Sequence, residues 1–140
     1  MRYTVTDDMA FLRLSDGEEL HRSIAAACEE YLIDSAVILG GLGMAKNITF
    51  GWYDGQEYIK EHLEGTFELT GLSGDISIRE GAIYPHLHAV LNGMDHKSFS
   101  GHVLQVVAFH NLEVFIRPLK CIRLKREFDG WIEAIVPEKR

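Results

Sequence analysis

The sequence predicts an α+β fold built on a largely antiparallel sheet. Two observations carry this. A single stretch, "DGEELHRSIAAACEEYLI", shows helical periodicity. Much of the remainder falls into short runs rich in β-branched and aromatic residues, punctuated by turn signals such as Asp54-Gly55. At 140 residues, 46% hydrophobic and 25% charged, the chain is expected to form one domain over residues 1–140 with a substantial core.

Taken in order, "MAFLRL" is the first expected strand. The helix follows, with Ser15 or Asp16 as its cap and Glu18 and Glu19 in the first turn, where the dipole favours anions. Leu20, Ile24, Ala27 and Tyr31 recur at helical spacing and form one apolar stripe, with Cys28 beside it. Cys28 and Cys121 belong to no C-x-x-C pair and are expected to be reduced structural thiols. The next expected strands are "SAVILGGLG", "NITFGWYD", "EYIKEHL", "TFELTGL" and "DISIRE". "AIYPHLHAVL", "GHVLQVVAF" and "LEVFIRPL" complete the set, with His110 in a hairpin turn. Gly40, Gly41 and Gly43 do not make a dinucleotide fingerprint, because a strand pattern follows where that motif must open a helix. They are expected to bend the chain between strands.

In "GHVLQVVAF" both parities are apolar: Leu104, Val106 and Ala108 on one, Val103, Val107 and Phe109 on the other. A sheet with one wet face alternates cleanly. One helix covers only one face, so the other must meet a second sheet layer or another subunit, and oligomerisation is expected.

The net charge is −7 with histidine neutral, which opposes wrapping of nucleic acid by charge alone. One basic run stands out, "RPLKCIRLKR", with Arg117, Lys120, Arg123, Lys125 and Arg126. It is read first as a solvated face pairing with nearby acids. No apolar run approaches the roughly 18–20 residues that span a bilayer, so no membrane partner is expected. "MRYTVTDDMAF" has no signal-peptide pattern, which makes the cytoplasm the default location.

The chemistry concentrates in "YPHLHAV". Side chains alternate along a strand, so His86 and His88 share a face with Cα atoms roughly 6.5–7 Å apart, close enough to converge on one ion. A third ligand is His102 in "SGHVL", which begins the strand expected to pair with the one carrying the first two. All three share a face if even-numbered residues pair with even-numbered ones. Three imidazoles with an open position suit zinc or another divalent transition metal. His96 is read as an exposed loop residue, and His21 and His62 have no clustered partners.

At these residues the chain resembles the plants-and-prokaryotes-conserved (PPC) domain family, a domain of unknown function related to the domain in plant AT-hook proteins. The resemblance runs through "RLSDGEELHRSI", "SAVILGGLGMAKNITFGWYD", "FELTGLSGDIS", "PHLHAVL", "GHVLQVV" and "LEVFI". The family usually doubles the glycine before the last histidine, where this chain has Ser100-Gly101. The resemblance implies a mixed, largely antiparallel sheet of about seven strands with one or two helices, a homotrimer, and a metal on the histidines matching His86, His88 and His102. The family carries a DNA-binding label, which transfers poorly to this chain, since it has no Arg-Gly-Arg-Pro core.

Three functions compete on these residues. The first is a non-enzymatic homotrimeric module whose metal supports the fold, a small-molecule ligand at the metal, or a partner. The second is a zinc-dependent hydrolase or lyase on a small polar substrate, with Glu68, Asp75 or Glu113 as general base. The third is DNA binding through Arg117–Arg126, which the acidic balance weakens.

Overall fold

The computed structural model describes residues 1–140 as eight strands and one helix. In chain order these are β1 (Arg2–Val5), β2 (Ala10–Ser15), α1 (Leu20–Glu30), β3 (Ala36–Tyr53) and β4 (Tyr58–Arg79). β5 (Ala82–Asn92), β6 (Ser98–Pro118), β7 (Ile122–Phe128) and β8 (Glu133–Lys139) follow. Every pairing is antiparallel except that of β4 with β7. The fold is therefore α+β with a mixed, largely antiparallel sheet, as the sequence predicts.

Several expected strands are fused into longer ones. β3 runs straight through the glycine cluster, where its register with β6 slips between Ile38 and Gly40 and again between Gly43 and Ala45. Gly43 has φ 130°, and a Cβ there would lie 2.3 Å from the Asn111 carbonyl oxygen. The cluster thus lets β6 approach closely within one bent strand; it does not separate two strands. His110 is likewise not in a hairpin turn. It lies inside β6 with φ 63°, where β3 residues Gly43 and Ala45 pair with Leu112 and Ala108 and leave the residues between them looped out.

β3 pairs with both β4 and β6, and β5 also pairs with both, so these four strands close a circuit. One core of 26 buried residues draws on this circuit, β2 and α1. The closed sheet supplies, within the chain, the second layer that the two-sided "GHVLQVVAF" pattern demands: Val103, Val106 and Ala108 are all buried.

The helix begins later than expected. Its cap is Glu19, whose carboxylate accepts hydrogen bonds from the His21 and Arg22 backbone N–H groups at 3.2 and 2.8 Å. Neither Ser15 nor Asp16 caps it, and neither Glu18 nor Glu19 falls in its first turn. The reason lies in competing bonds. The Asp16 carboxylate holds Lys46 Nζ at 3.0 Å and accepts from the His110 N–H at 3.1 Å, while Gly17 and Glu18 are tied to Ala108 through backbone bonds. Leu20, Ile24, Ala27 and Cys28 face the core, and each fully buried aliphatic chain contributes about 1.5–3 kcal/mol. Tyr31 leaves the stripe: it is the C-cap, exposed, with its ring edge against Tyr3. Cys28 and Cys121 are both free thiols, and burial pushes Cys28 up to about 12. No helix is long and apolar enough to cross a membrane.

Candidate metal centre

β5 presents His86 and His88 on one face, and the β5–β6 register sets His88 directly opposite His102. Even pairs with even, the condition under which all three share a face. The ring centroids lie 4.9–5.3 Å apart, and the nitrogens able to ligate all fall within 4.8 Å of one another. Three imidazoles on an ion at about 2.0–2.1 Å would hold their nitrogens roughly 3.3 Å apart in tetrahedral geometry. Ligation requires the nitrogens to draw together by up to about 1.5 Å. The donor set therefore fits a borderline divalent ion such as zinc. Tyr58 stacks on His102 with centroids 4.9 Å apart and 12° between planes, fixing that ring from one side.

Behind the cluster stands a carboxylate. Asp75 pairs with His86 across β4 and β5, and its Oδ2 lies 3.5 Å from His86 Nδ1. Arg126, with only 9% of its side chain exposed, donates from Nη2 to both Asp75 oxygens at 3.0 Å and lies 3.0 Å from the same His86 nitrogen. A guanidinium only donates, so the shorter contact favours Nδ1 as acceptor with the proton on Nε2. Ligation through Nε2 requires the other tautomer, with Nδ1–H turned to Asp75, the carboxylate–histidine pairing common behind bound metals. Burial raises the Asp75 carboxyl, but its neighbours His86 and Arg126 outweigh it and leave the group below the usual range. Asp75 is thus an anion that orients, and a poor general base at neutral pH.

Partial desolvation, then the neighbouring His86, lowers the exposed His88; burial, then His86 and His88, brings His102 down to about 4. Both rings stay neutral at pH 7 and keep a lone pair for a metal. With a folded value below the ordinary 6.5, the unfolded chain binds more protons as the pH falls, so stability present above 6.5 is lost toward 4. Thermal melts of the metal-free protein should show the midpoint falling through that window, and His102→Asn should flatten the slope. An unchanged slope in the variant would contradict this assignment.

Of the other acids read as candidate bases, Glu68 pairs with Met44 and Asn92, and Glu113 with Arg13 and Leu42. Neither lines the cleft of about 440 Å³ over the histidines. The acid that does is Glu61, together with Tyr53, Tyr58 and Gly51. The signal for it was the Asp54-Gly55 hairpin, which folds "EYIKEHL" back toward the strand that meets His102. The basic run divides. Lys120 faces Asp7 and Asp8, Arg123 faces Asp34 and Lys125 faces Glu138, while Arg126 turns inward. His96 sits exposed in the β5–β6 loop with φ 61°, and His62 hydrogen-bonds Thr49. His21 lies 3.3 Å from the capping Glu19.

The model of the Plants and Prokaryotes Conserved (PCC) domain matches residues 1–120. Among solved structures, a plant- and prokaryote-conserved (PPC) protein from Pyrococcus horikoshii is 28% identical, with 99% of this chain and 96% of that one covered at a TM-score of 0.86. A metal-containing protein from Archaeoglobus fulgidus is 30% identical, covering 99% and 97% at a TM-score of 0.83. A candidate DNA-binding protein from Ralstonia eutropha is 22% identical, covering 99% and 96% at a TM-score of 0.87, a likeness that shows the fold alone. No curated protein matches the chain.

Proposed function

Because the chain belongs to the Plants and Prokaryotes Conserved domain family, we propose that it is a metal-binding member in which His86, His88 and His102 hold one divalent transition ion, zinc by preference. The observation that carries this is the convergence of three ligating nitrogens within 4.8 Å on a strand pair. The metal-containing relative from Archaeoglobus fulgidus, at 30% identity, supports it. A zinc ion on three imidazoles supplies a polarising centre for an oxygen ligand. The chain's own residues prepare the place: Asp75 and Arg126 orient His86, and Tyr58 braces His102. Equilibrium dialysis against zinc should give one ion per chain, removable by a chelator; uptake no greater than that of a protein without a histidine cluster would overturn the reading.

A second reading rests on Glu61, the one carboxylate lining the cleft. In it the protein is a zinc-dependent hydrolase or lyase on a small polar substrate, with Glu61 as the proton acceptor. DNA is not assigned as a partner, since the net charge is −7 and Lys120, Arg123, Lys125 and Arg126 are engaged by acids.

The proposed assembly is a homotrimer. Leu39 and Leu42 on β3, Val90 on β5, and Phe99 and Phe115 on β6 are exposed in the single chain, and such apolar side chains suit an interface between copies. Light scattering should return three times the chain mass of 15.9 kDa, and a value at 15.9 kDa would contradict it.

A further inference from the structure

A second cavity of about 490 Å³ adjoins the histidine cleft, with Tyr53, Tyr58 and His86 lining both. Three hairpins build it. The β3–β4 hairpin contributes Tyr53 and Tyr58, the β4–β5 hairpin Arg79 and Tyr84, and the β7–β8 hairpin Phe128 and Trp131. Trp131 and Phe128 are largely exposed, at 71% and 67%. The metal reading uses Tyr58, His86 and Arg126 of this lining but not Arg79, Tyr84, Phe128 or Trp131.

Its two cations are unequally paired. Arg79 and Arg126 are in register across the parallel β4–β7 pair, and both guanidiniums stand over the Tyr84 ring, at 5.2 and 5.3 Å. Like charges in register are unfavourable unless each is answered. Arg126 is answered by Asp75, by Ser77 Oγ at 3.0 Å and by the Glu133 carbonyl at 3.0 Å. Arg79 is not: it makes no ion pair, and its buried Nε has no hydrogen-bond partner. Leaving a buried donor unpaired is destabilising.

We propose that this cavity binds a planar aromatic monocarboxylate, its ring against the tyrosine and tryptophan wall and its carboxylate on Arg79. The volume is that of a small-molecule site. Flat aromatic walls favour a ring over an aliphatic chain, and a guanidinium matches a carboxylate in shape as well as charge. One unanswered cation, with the Glu133 carboxylate also lining the cavity, suits a single negative charge better than a phosphate dianion. Because the site needs no metal, the inference stands independently of the function proposed above.

The test is calorimetric titration of the full chain, metal-free and zinc-loaded, with 2-naphthoate and with its neutral amide, 2-naphthamide. The expected result is one naphthoate per chain in both forms, at a Kd below about 1 mM, with the amide weaker by about tenfold or more. Arg79→Gln should bring the acid down to the affinity of the amide while leaving zinc content unchanged, and Glu133→Gln should tighten the acid. Equal affinity for acid and amide in the wild type overturns the proposal without recourse to any variant. So does naphthoate binding that ignores Arg79→Gln, or no binding of naphthoate at all. His88→Ala, which removes zinc and leaves naphthoate binding in place, separates a failure of this site from a failure of the metal centre.

Discussion

Replacing His88 by alanine should reduce bound zinc from one ion per chain to nearly none. His88 is the exposed member of the cluster and sits opposite His102, so its loss leaves only two imidazoles to hold the ion. Even outer-shell partners of metal ligands are worth about 10–100-fold in affinity, so losing a ligand should cost more than about a hundredfold. An exposed strand residue contributes little to folding, and the metal-free variant should melt within about 0.5 kcal/mol of the metal-free wild type. That control matters: it separates loss of a ligand from loss of the fold. Equal ion content in wild type and variant by elemental analysis would make the strand histidines ordinary polar residues and would remove the chemical basis of both functional readings.

The second large effect is expected at Gly74. This residue sits on β4 between Ser73, which pairs with His88, and Asp75, which pairs with His86. Its φ is 154°, a conformation that L side chains rarely adopt, and an added Cβ would lie 2.0 Å from the His86 carbonyl oxygen. The obstacle is backbone on the neighbouring strand, so no side-chain rotation relieves it. Gly74→Ala should force β5 away from β4, costing about 3–5 kcal/mol and lowering Tm by about 10 °C or more. Because β5 carries two of the three histidines, zinc affinity should fall with stability. Gly81→Ala is the matching control: its φ is also positive, at 82°, but an added Cβ meets nothing within 4 Å. If the two variants melt together, close packing at Gly74 is not what sets β5 in place.

Local signals were the legible ones. Period-2 alternation placed His86 and His88 on one face, and the hairpin distance to "SGHVL" put His102 within reach. Only the register, which depends on the whole sheet, decided whether the third ring joined them. The glycine cluster was visible but its use was not. A glycine that ends a strand and one that admits a neighbouring backbone look alike in sequence, and Gly43 is the second kind because Asn111, remote in sequence, passes against it. Asp16 looked like a helix cap because its competitors, Lys46 and the His110 N–H, are also remote.

Arg126 shows the same limit most sharply. It belongs to a basic run in which three of the four other members, Lys120, Arg123 and Lys125, do face acids on the surface, as such runs commonly do. A two-residue parallel contact, Ile78 with Lys125 and Arg79 with Arg126, carries it instead onto Asp75 and His86. Neither periodicity nor spacing encodes a contact that short between segments so far apart. The same pairing brings Arg79 beside it, the arginine of the aromatic cavity that has no ion pair.

The most direct test of the metal centre is anomalous diffraction at the zinc edge from crystals of the zinc-loaded wild type. The account predicts one strong peak per chain, bonded to nitrogens of His86, His88 and His102 at about 2.0–2.1 Å. Zinc-loaded crystals with no peak among these three rings, or with the ion held elsewhere on the chain, would contradict it.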